Sequence, residues 1–167
     1  MKKLLVIIMT ICCLLTLAAC TNQASEDDNQ LPNPVHECSA EELAEKTGIT
    51  LNIPATAVDV TYSYIDGDEP LAQVEFTYHA DVFTYRGQKT RTVKDISGMH
   101  YEWTKTTNDT EDTPYTCYFT DEGQGIALWY TGGASYALGM TENATEDALV
   151  TMYGLSLIHI SEPTRPY

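Results

Sequence analysis

Apolar and polar residues alternate along most of the chain from Val58 onward. A period of two is typical of strands that bury one face and turn the other towards solvent or a second layer. The alternation defines these segments: Val58–Tyr64, Ala72–Tyr78, Val82–Tyr85, Thr90–Lys94, His100–Lys105, Tyr115–Thr120, Ile126–Thr131 and Ser135–Met140. Turn residues such as Asp66-Gly67, Ser97-Gly98 and Gly132-Gly133 separate them. The pattern predicts an antiparallel meander of about seven or eight strands.

Two helices are expected to flank this sheet. Ser39-Ala40-Glu41-Glu42 is a capping box, and Gly48 is placed to end a helix in the left-handed conformation. The first helix is therefore predicted to run from Ala40 to Thr47. A second segment, Thr145–Tyr153, carries apolar residues at helical spacing. Helix, antiparallel sheet and helix together make the predicted fold class α+β.

The N-terminus has the pattern of a secretory signal. Lys2 and Lys3 precede an apolar run, Leu4–Leu17, that is too short for a typical membrane span. The run closes on Leu17-Ala18-Ala19-Cys20, which resembles the lipobox of bacterial lipoproteins. The resemblance implies that residues 1–19 are removed and that Cys20 carries a diacylglyceryl lipid with palmitate-type chains. An uncleaved N-terminal anchor is the alternative.

The rest of the chain divides into three parts. Residues 20–37 are polar and acidic and contain proline, so a disordered tether is expected there. Residues 38–154 are long enough for one domain with a single core. Residues 155–167 resemble the translation of a transposase-type sequencing adapter. They are expected to be an artefact that truncates the second helix and adds no native packing. Their apolar residues Leu155, Leu157, Ile158 and Ile160 can extend that helix for a few residues, and Pro163 ends any such extension. Deletion of the segment is expected to leave the melting temperature unchanged or raise it.

The chain is strongly acidic, with a formal net charge of −15 at pH 7. Without Lys2, Lys3, Arg165 and Glu162, which belong to the signal and the adapter-like tail, six basic and 23 acidic residues remain and the net charge is −17. Nucleic acid is not an expected partner, because phosphate contacts need clusters of Lys and Arg. An anionic membrane surface would repel such a domain. The lipid on Cys20 is therefore expected to hold it at the extracytoplasmic face of the cell membrane.

Two cysteines, Cys38 and Cys117, fall in the predicted domain. Disulfides persist in extracytoplasmic proteins, so a Cys38–Cys117 disulfide is predicted, with two separate buried thiols as the alternative. Two cysteines cannot supply the four ligands of a structural zinc site. The acidic stretch Asp66–Glu69 lacks EF-hand spacing and is interpreted as a turn. Asn108, Asp109, Glu111 and Asp112 offer oxygens for a hard cation, and a solvated acidic loop is the preferred interpretation. No metal ion and no cofactor is predicted.

No residue pattern specifies a reaction, and no catalytic residue is predicted. Ser97 lies three residues before His100, which is neither a nucleophile elbow nor a Ser-x-x-Lys motif. The aromatic content is a clearer feature than any catalytic pattern, because the chain has eleven tyrosines and two tryptophans. Aromatic residues are common in half-buried strands, and on an exposed sheet face they bind sugars, peptides or apolar ligands.

Trp129, Tyr130 and Trp103 are the candidate ligand-binding residues. Trp129 points outward if Ile126, Leu128 and Tyr130 take the core face of their strand. In the alternative register Trp129 is buried and Ala127 shares its face.

Three stretches together resemble uncharacterised lipoproteins of Gram-positive, clostridia-like bacteria. They are Ala72–Tyr78, Asp95–Trp103, and Gly125–Tyr130 with the Tyr136-Ala137-Leu138 that follows. The resemblance covers residues 56–154, including the closing helix. It implies an extracytoplasmic α+β domain and assigns no catalytic residue.

Two functional hypotheses follow. The first is a non-enzymatic binding or sensing lipoprotein whose ligand, a protein or a component of the cell envelope, is unknown. The second is a small cell-surface hydrolase with a dispersed acidic or cysteine site. A sheet face with clustered Tyr and Trp would favour the first, and a cleft with converging carboxylates would favour the second.

Overall fold

The computed structural model describes residues 34–108 and 115–158, without the side chains of Asn108, Leu157 and Ile158. These residues form one eight-stranded antiparallel sheet and two helices, as an α+β fold requires. The strands are β1 (Val35–Cys38), β2 (Val58–Ile65), β3 (Leu71–Tyr78), β4 (Asp81–Lys89), β5 (Lys105–Asn108), β6 (Tyr115–Phe119), β7 (Gly125–Thr131) and β8 (Ala134–Met140). The helices are α1 (Ala40–Thr47) and α2 (Glu146–Ile158).

Several sequence predictions lie outside the described residues. These are the signal segment 1–19, Cys20, the tether up to residue 33, the acidic loop from Asp109 onward and residues 159–167 of the adapter-like tail.

The sheet joins two four-stranded meanders side by side. Its strand order is β1-β2-β3-β4-β8-β7-β6-β5, so consecutive strands are neighbours within each half. The halves meet where β4 pairs with β8, for example Tyr85 opposite Leu138. The predicted meander is therefore present within each half of the sheet. After β4 the chain does not form the neighbouring strand, because that place is taken by β8. It continues instead to β5 at the far edge.

Strand β1 corrects the predicted end of the tether. Val35–Cys38 pairs with β2 at the edge of the sheet, although residues 35–37 were assigned to the disordered segment. The His36 ring stacks on Tyr64, with ring centroids 4.9 Å apart, and its Nε2 lies 2.9 Å from Oδ2 of Asp66. An edge strand has one neighbour and needs no apolar alternation, so its composition does not distinguish it from a tether.

Helix α1 has the bounds that its capping residues predict. The Glu42 N–H donates to Oγ of Ser39 at 3.2 Å. Gly48 has a φ of 65°, and its N–H donates to the Ala44 carbonyl at 2.9 Å. These two caps position the helix so that Leu43 is buried against the sheet.

The inner face of the sheet is the side that packs against both helices. The registers Val74–Tyr85 and Tyr85–Leu138 align three buried side chains in one row across β3, β4 and β8. Leu43 from α1 and Leu149 from α2 belong to the same buried cluster and are 1% and 0% exposed. Sheet and helices thus share the main hydrophobic core.

Residues 90–104 form a loop, here called the crossing loop, on the opposite or second face of the sheet. The strands predicted at Thr90–Lys94 and His100–Lys105 are therefore wrong, and β5 begins only at Lys105. Ile96 of this loop forms a buried cluster on the second face with Ile126, Leu128 and Ala137, and Met99 packs against the cluster. An alternating segment can form a loop when side chains of the sheet, instead of a neighbouring strand, bond its backbone.

The predicted Cys38–Cys117 disulfide is absent from the described part of the chain. Cys38 pairs with Tyr62 on β2, whereas Cys117 on β6 pairs with Ala127 on β7. Strand β1 is at one edge of the sheet, and β6 is next to the other edge. The disulfide prediction was wrong because local sequence does not fix this strand order.

Helix α2 continues past Gly154 into the adapter-like segment. Leu155 packs against the core, and Ser156 is 4% exposed. The Ser156 hydroxyl donates to the Tyr153 carbonyl at 2.7 Å. Burial raises the pKa of Tyr85, and a hydrogen bond with Ser156 partly opposes that shift. The apolar start of the segment thus extends the helix for a few residues, as expected, and Leu155 and Ser156 add buried contacts to the domain.

Deletion of residues 155–167 should lower the free energy of unfolding by about 1–2 kcal/mol. The expected loss arises because Leu155 leaves the core and the hydrogen bonds of Ser156 are removed. Urea denaturation followed by circular dichroism is the measurement. A chain ending at Ile158 is the control and should keep the stability of the full chain. Equal stability of all three chains would contradict this prediction.

Candidate functional site

The start of the crossing loop is fixed to the sheet by Ser135 on β8, which is fully buried. Oγ of Ser135 lies 2.7 Å from Oγ1 of Thr90 and accepts from the Lys94 N–H at 2.9 Å. The Ser135 hydroxyl also donates to the Thr92 carbonyl at 3.1 Å. One buried hydroxyl thus bonds three residues of the loop, so this segment does not form a strand.

The middle of the loop, Asp95-Ile96-Ser97-Gly98, bonds to itself. Oδ1 of Asp95 accepts from the Ser97 N–H at 2.9 Å and from the Ser97 hydroxyl at 2.7 Å. Oγ of Ser97 then accepts from the Met99 N–H at 3.1 Å. Asp and Ser favour such local turns, because their short side chains reach the backbone two residues on.

Arg86 on β4 holds this turn against the second face. Its Nη1 donates to the carbonyls of Ser97 at 2.6 Å and Ile96 at 3.3 Å, and its Nε donates to Oε1 of Gln73 at 2.7 Å. Burial lowers the pKa of Arg86, and the nearby carboxylates of Glu75 and Asp95 oppose that shift. A guanidinium, with its five donors, can make all these bonds at once.

Two glycines allow the loop to approach this closely. Gly98 has a φ of 67°, and a Cβ on it would collide with Nη1 of Arg86. A Cβ on Gly139 of β8 would lie 2.6 Å from Sδ of Met99. The loop therefore lies directly on the backbone of the sheet, with Ile96 buried beneath it.

A groove of about 510 Å³ opens between the crossing loop and strands β6 and β7. This groove, here called the tyrosine groove, is lined by Val93, Asp95, Thr116, Tyr118, Leu128 and Tyr130. Its volume lies within the range of about 300–1,000 Å³ that is typical of small-molecule sites. Val93 is 59% exposed, so a large aliphatic side chain stands at the wall of the groove.

Of the three predicted ligand residues, one lines this groove and a second contacts a lining residue. Tyr130 lines it and donates its hydroxyl to the Thr90 carbonyl at 3.3 Å. Trp103 lies beside it, with its ring centroid 6.2 Å from that of Tyr118. Tyr101 meets Trp103 edge-on at 5.7 Å and is 42% exposed. Tyr101, Trp103 and Tyr118 thus form an aromatic cluster at the C-terminal end of the crossing loop.

Trp129 is not part of the groove, and its predicted outward orientation is wrong. It is 2% exposed and belongs to the main core, as the alternative register with Ala127 implied. Ile126 and Leu128 occupy the second face instead, where Ile96 covers them. Strand β7 is buried on both faces, by the crossing loop on the second face and by the main core on the inner face, so apolar residues on each side fitted either register.

Tyr118 and Asp95 line the groove but were not predicted as ligand-binding residues. A signal for Tyr118 was present in the predicted strand Tyr115–Thr120, where Tyr118 alternates with the apolar Cys117 and Phe119. The structure confirms that alternation, with both neighbours buried. The sequence around Asp95 did not indicate a groove residue, because Asp95 belongs to the crossing loop and distant residues of the sheet fix the position of that loop.

The other candidate chemistry does not converge on a site. Burial and the carboxylate of Glu42 raise the pKa of the Cys38 thiol, and Cys117 is 0% exposed. Nucleophilic cysteines instead have a lowered pKa and partial exposure. Across residues 34–108 and 115–158, no group of three or more His, Cys, Asp or Glu side chains is placed to hold a metal ion.

Neither helix in the described ranges is long and apolar enough to cross a membrane. The chain matched no model of a known protein family, no curated protein and no solved structure in the comparisons.

Proposed function

We propose that the protein is a membrane-anchored extracytoplasmic lipoprotein whose folded domain is a non-enzymatic binding module. The proposal places the lipid on Cys20 and the ligand in the tyrosine groove. The lipobox-like Leu17-Ala18-Ala19-Cys20 supports the anchor. The strong acidity of the chain adds support, because an acidic domain needs a lipid to stay at an anionic membrane.

The tyrosine groove is the observation that carries the binding function. It combines a pocket-sized volume with Tyr118, Tyr130 and Leu128 on one side and the exposed Val93 on the other. Ser135 and Arg86 fix the loop that forms one wall, so the groove exists before a ligand arrives. A preformed apolar site loses less conformational entropy on binding than one that must be ordered.

Binding in the groove can be followed by the two tryptophan side chains, the only two in the chain. A ligand in the groove should shift the indole N–H resonance of Trp103, which neighbours Tyr118. The resonance of Trp129 should stay unchanged, because that ring is buried in the core on the inner face. If neither neutral nor charged small probes shift Trp103, the groove is not the ligand site and this part of the proposal fails.

Lipidation predicts the outcome of a Cys20→Ala substitution. The natural sequence should partition into the detergent phase of a Triton X-114 separation, since a diacyl anchor binds membranes stably. The variant should move to the aqueous phase. Cys38→Ala is the matched control and should remain in the detergent phase. If Cys20→Ala also remains there, an uncleaved N-terminal anchor replaces lipidation as the explanation.

A small cell-surface hydrolase is the alternative function. The raised pKa of Cys38 and the burial of Cys117 argue against a cysteine nucleophile in this fold. No specific observation favours an acidic site, so the binding module is the function that we propose.

A further inference from the structure

We propose that the tyrosine groove selects small organic cations with an apolar body, such as quaternary ammonium compounds. This inference rests on the proposed function, because it names the ligand class of the same groove. Three features of the lining carry it: two tyrosine rings, one carboxylate held in place, and the separation of basic side chains from the groove.

The first feature is the pair of tyrosines. Tyr118 and Tyr130 both line the groove, and each is only partly buried. The face of an aromatic ring carries negative potential and attracts a cation within about 6 Å of the ring centre. Leu128 lies beside them and can contact the methyl groups that surround a quaternary nitrogen. Such a lining suits a cation whose charge is covered by carbon.

The second feature is Asp95, the one charged side chain among the described lining residues. Its carboxylate is held in place, because Oδ1 accepts from both the N–H and the hydroxyl of Ser97. A carboxylate already oriented at the wall of a groove attracts a cation without having to be ordered first. It would repel an anionic ligand of the same shape.

The third feature is the separation of basic residues from the groove. Lys94 lies between Val93 and Asp95 in the sequence, yet it lines a different cavity with the acidic turn Asp66–Glu69. Arg86 is near the Asp95 carboxylate, but it is not among the lining residues and its Nη1 donates to the carbonyls of Ile96 and Ser97. The net charge of −15 adds a long-range attraction for cations.

The experiment uses three probes of nearly the same shape. Choline is the cation, 3,3-dimethylbutan-1-ol is its neutral isostere, and 3,3-dimethylbutanoate is the anion. Each is titrated into the protein while the indole resonances of Trp103 and Trp129 are recorded. Choline should bind roughly three- to tenfold more tightly than the neutral isostere, and the anion should bind most weakly.

Two variants assign that preference to the groove. Tyr118→Leu keeps an apolar side chain and removes one ring, and it should weaken choline binding roughly two- to fivefold. Asp95→Asn keeps the Oδ1 acceptor for Ser97 and removes the charge, so it should reduce the preference for choline over the neutral isostere. Tyr101→Leu is the control, because this exposed residue is not among those lining the groove, and it should leave both affinities unchanged.

The possible outcomes separate the two proposals. If the neutral isostere binds as tightly as choline, the cation inference is wrong while the groove remains a binding site. If choline shifts Trp103 but neither variant weakens its binding, the cation is held elsewhere and the inference is again wrong. If no probe shifts Trp103, the proposed function fails together with the inference.

Discussion

Trp129→Ala should lower the free energy of unfolding by about 3–5 kcal/mol. Trp129 lies at the centre of an aromatic cluster on the inner face of the sheet. Its ring stacks on Tyr136 and Tyr85 at centroid distances of 5.5 and 5.7 Å, and it meets Tyr153 of α2 edge-on at 5.1 Å. Truncation removes all three contacts and leaves a cavity between the sheet and the helix. The stability of small domains is only about 5–15 kcal/mol, so this single change removes a large part of it.

The measurement is urea denaturation followed by far-ultraviolet circular dichroism, which does not depend on the deleted indole. Trp103→Ala is the matched control, because Trp103 is only partly buried at the second face. Trp103→Ala should lower the free energy of unfolding by about 1 kcal/mol. Trp129→Phe keeps an aromatic ring, so its loss in free energy of unfolding should lie between those of the two alanine variants. It remains measurable if Trp129→Ala does not fold. Equal losses for Trp129→Ala and Trp103→Ala would show that the inner cluster is not the main source of stability.

Local signals predicted much of the fold because the interactions that they describe are local. Ser39, Glu42 and Gly48 fix α1 through bonds that span three or four residues. The alternation in Val58–Tyr64 and Ala72–Tyr78 predicted two strands that the structure confirms. Each of these elements could be predicted without knowing what it packs against.

The predictions that failed depend on distant partners. The segment 90–94 alternates like a strand, but Ser135, more than forty positions later, bonds the backbone of Thr92 and Lys94 instead. The same crossing loop buries the second face of β7, so the apolar content of Ile126–Thr131 did not reveal on which side Trp129 lies. The absent Cys38–Cys117 disulfide likewise depends on strand order. The candidate site is built from these distant contacts. Tyr130 and Trp103 could therefore be predicted from the sequence, whereas the groove that Tyr130 and Tyr118 line could not.

The loop that forms the groove should detach when Arg86 is replaced. Arg86→Leu removes the donors to the carbonyls of Ile96 and Ser97 and leaves Oε1 of Gln73 without its charged partner. Hydrogen bonds to charged groups contribute about 1.5–3 kcal/mol each, and part of this is recovered from water because Arg86 is only half-buried. We therefore expect the free energy of unfolding to fall by about 2–3 kcal/mol.

Hydrogen exchange distinguishes local release of the loop from a general loss of stability. In Arg86→Leu the amides of Ser97 and Met99 should exchange much faster than in the natural sequence, while the amide of Val74 in the inner core should remain protected.

Gly98→Ala should give the same pattern by a different route, because its Cβ would collide with the Arg86 guanidinium and its φ of 67° disfavours a side chain. Arg91→Leu removes an equal charge from an exposed position in the same loop and should change little. If Arg86→Leu leaves exchange at Ser97 and Met99 as slow as in the natural sequence, Arg86 does not hold the loop. The wall of the groove would then depend on Ser135 and the burial of Ile96 alone.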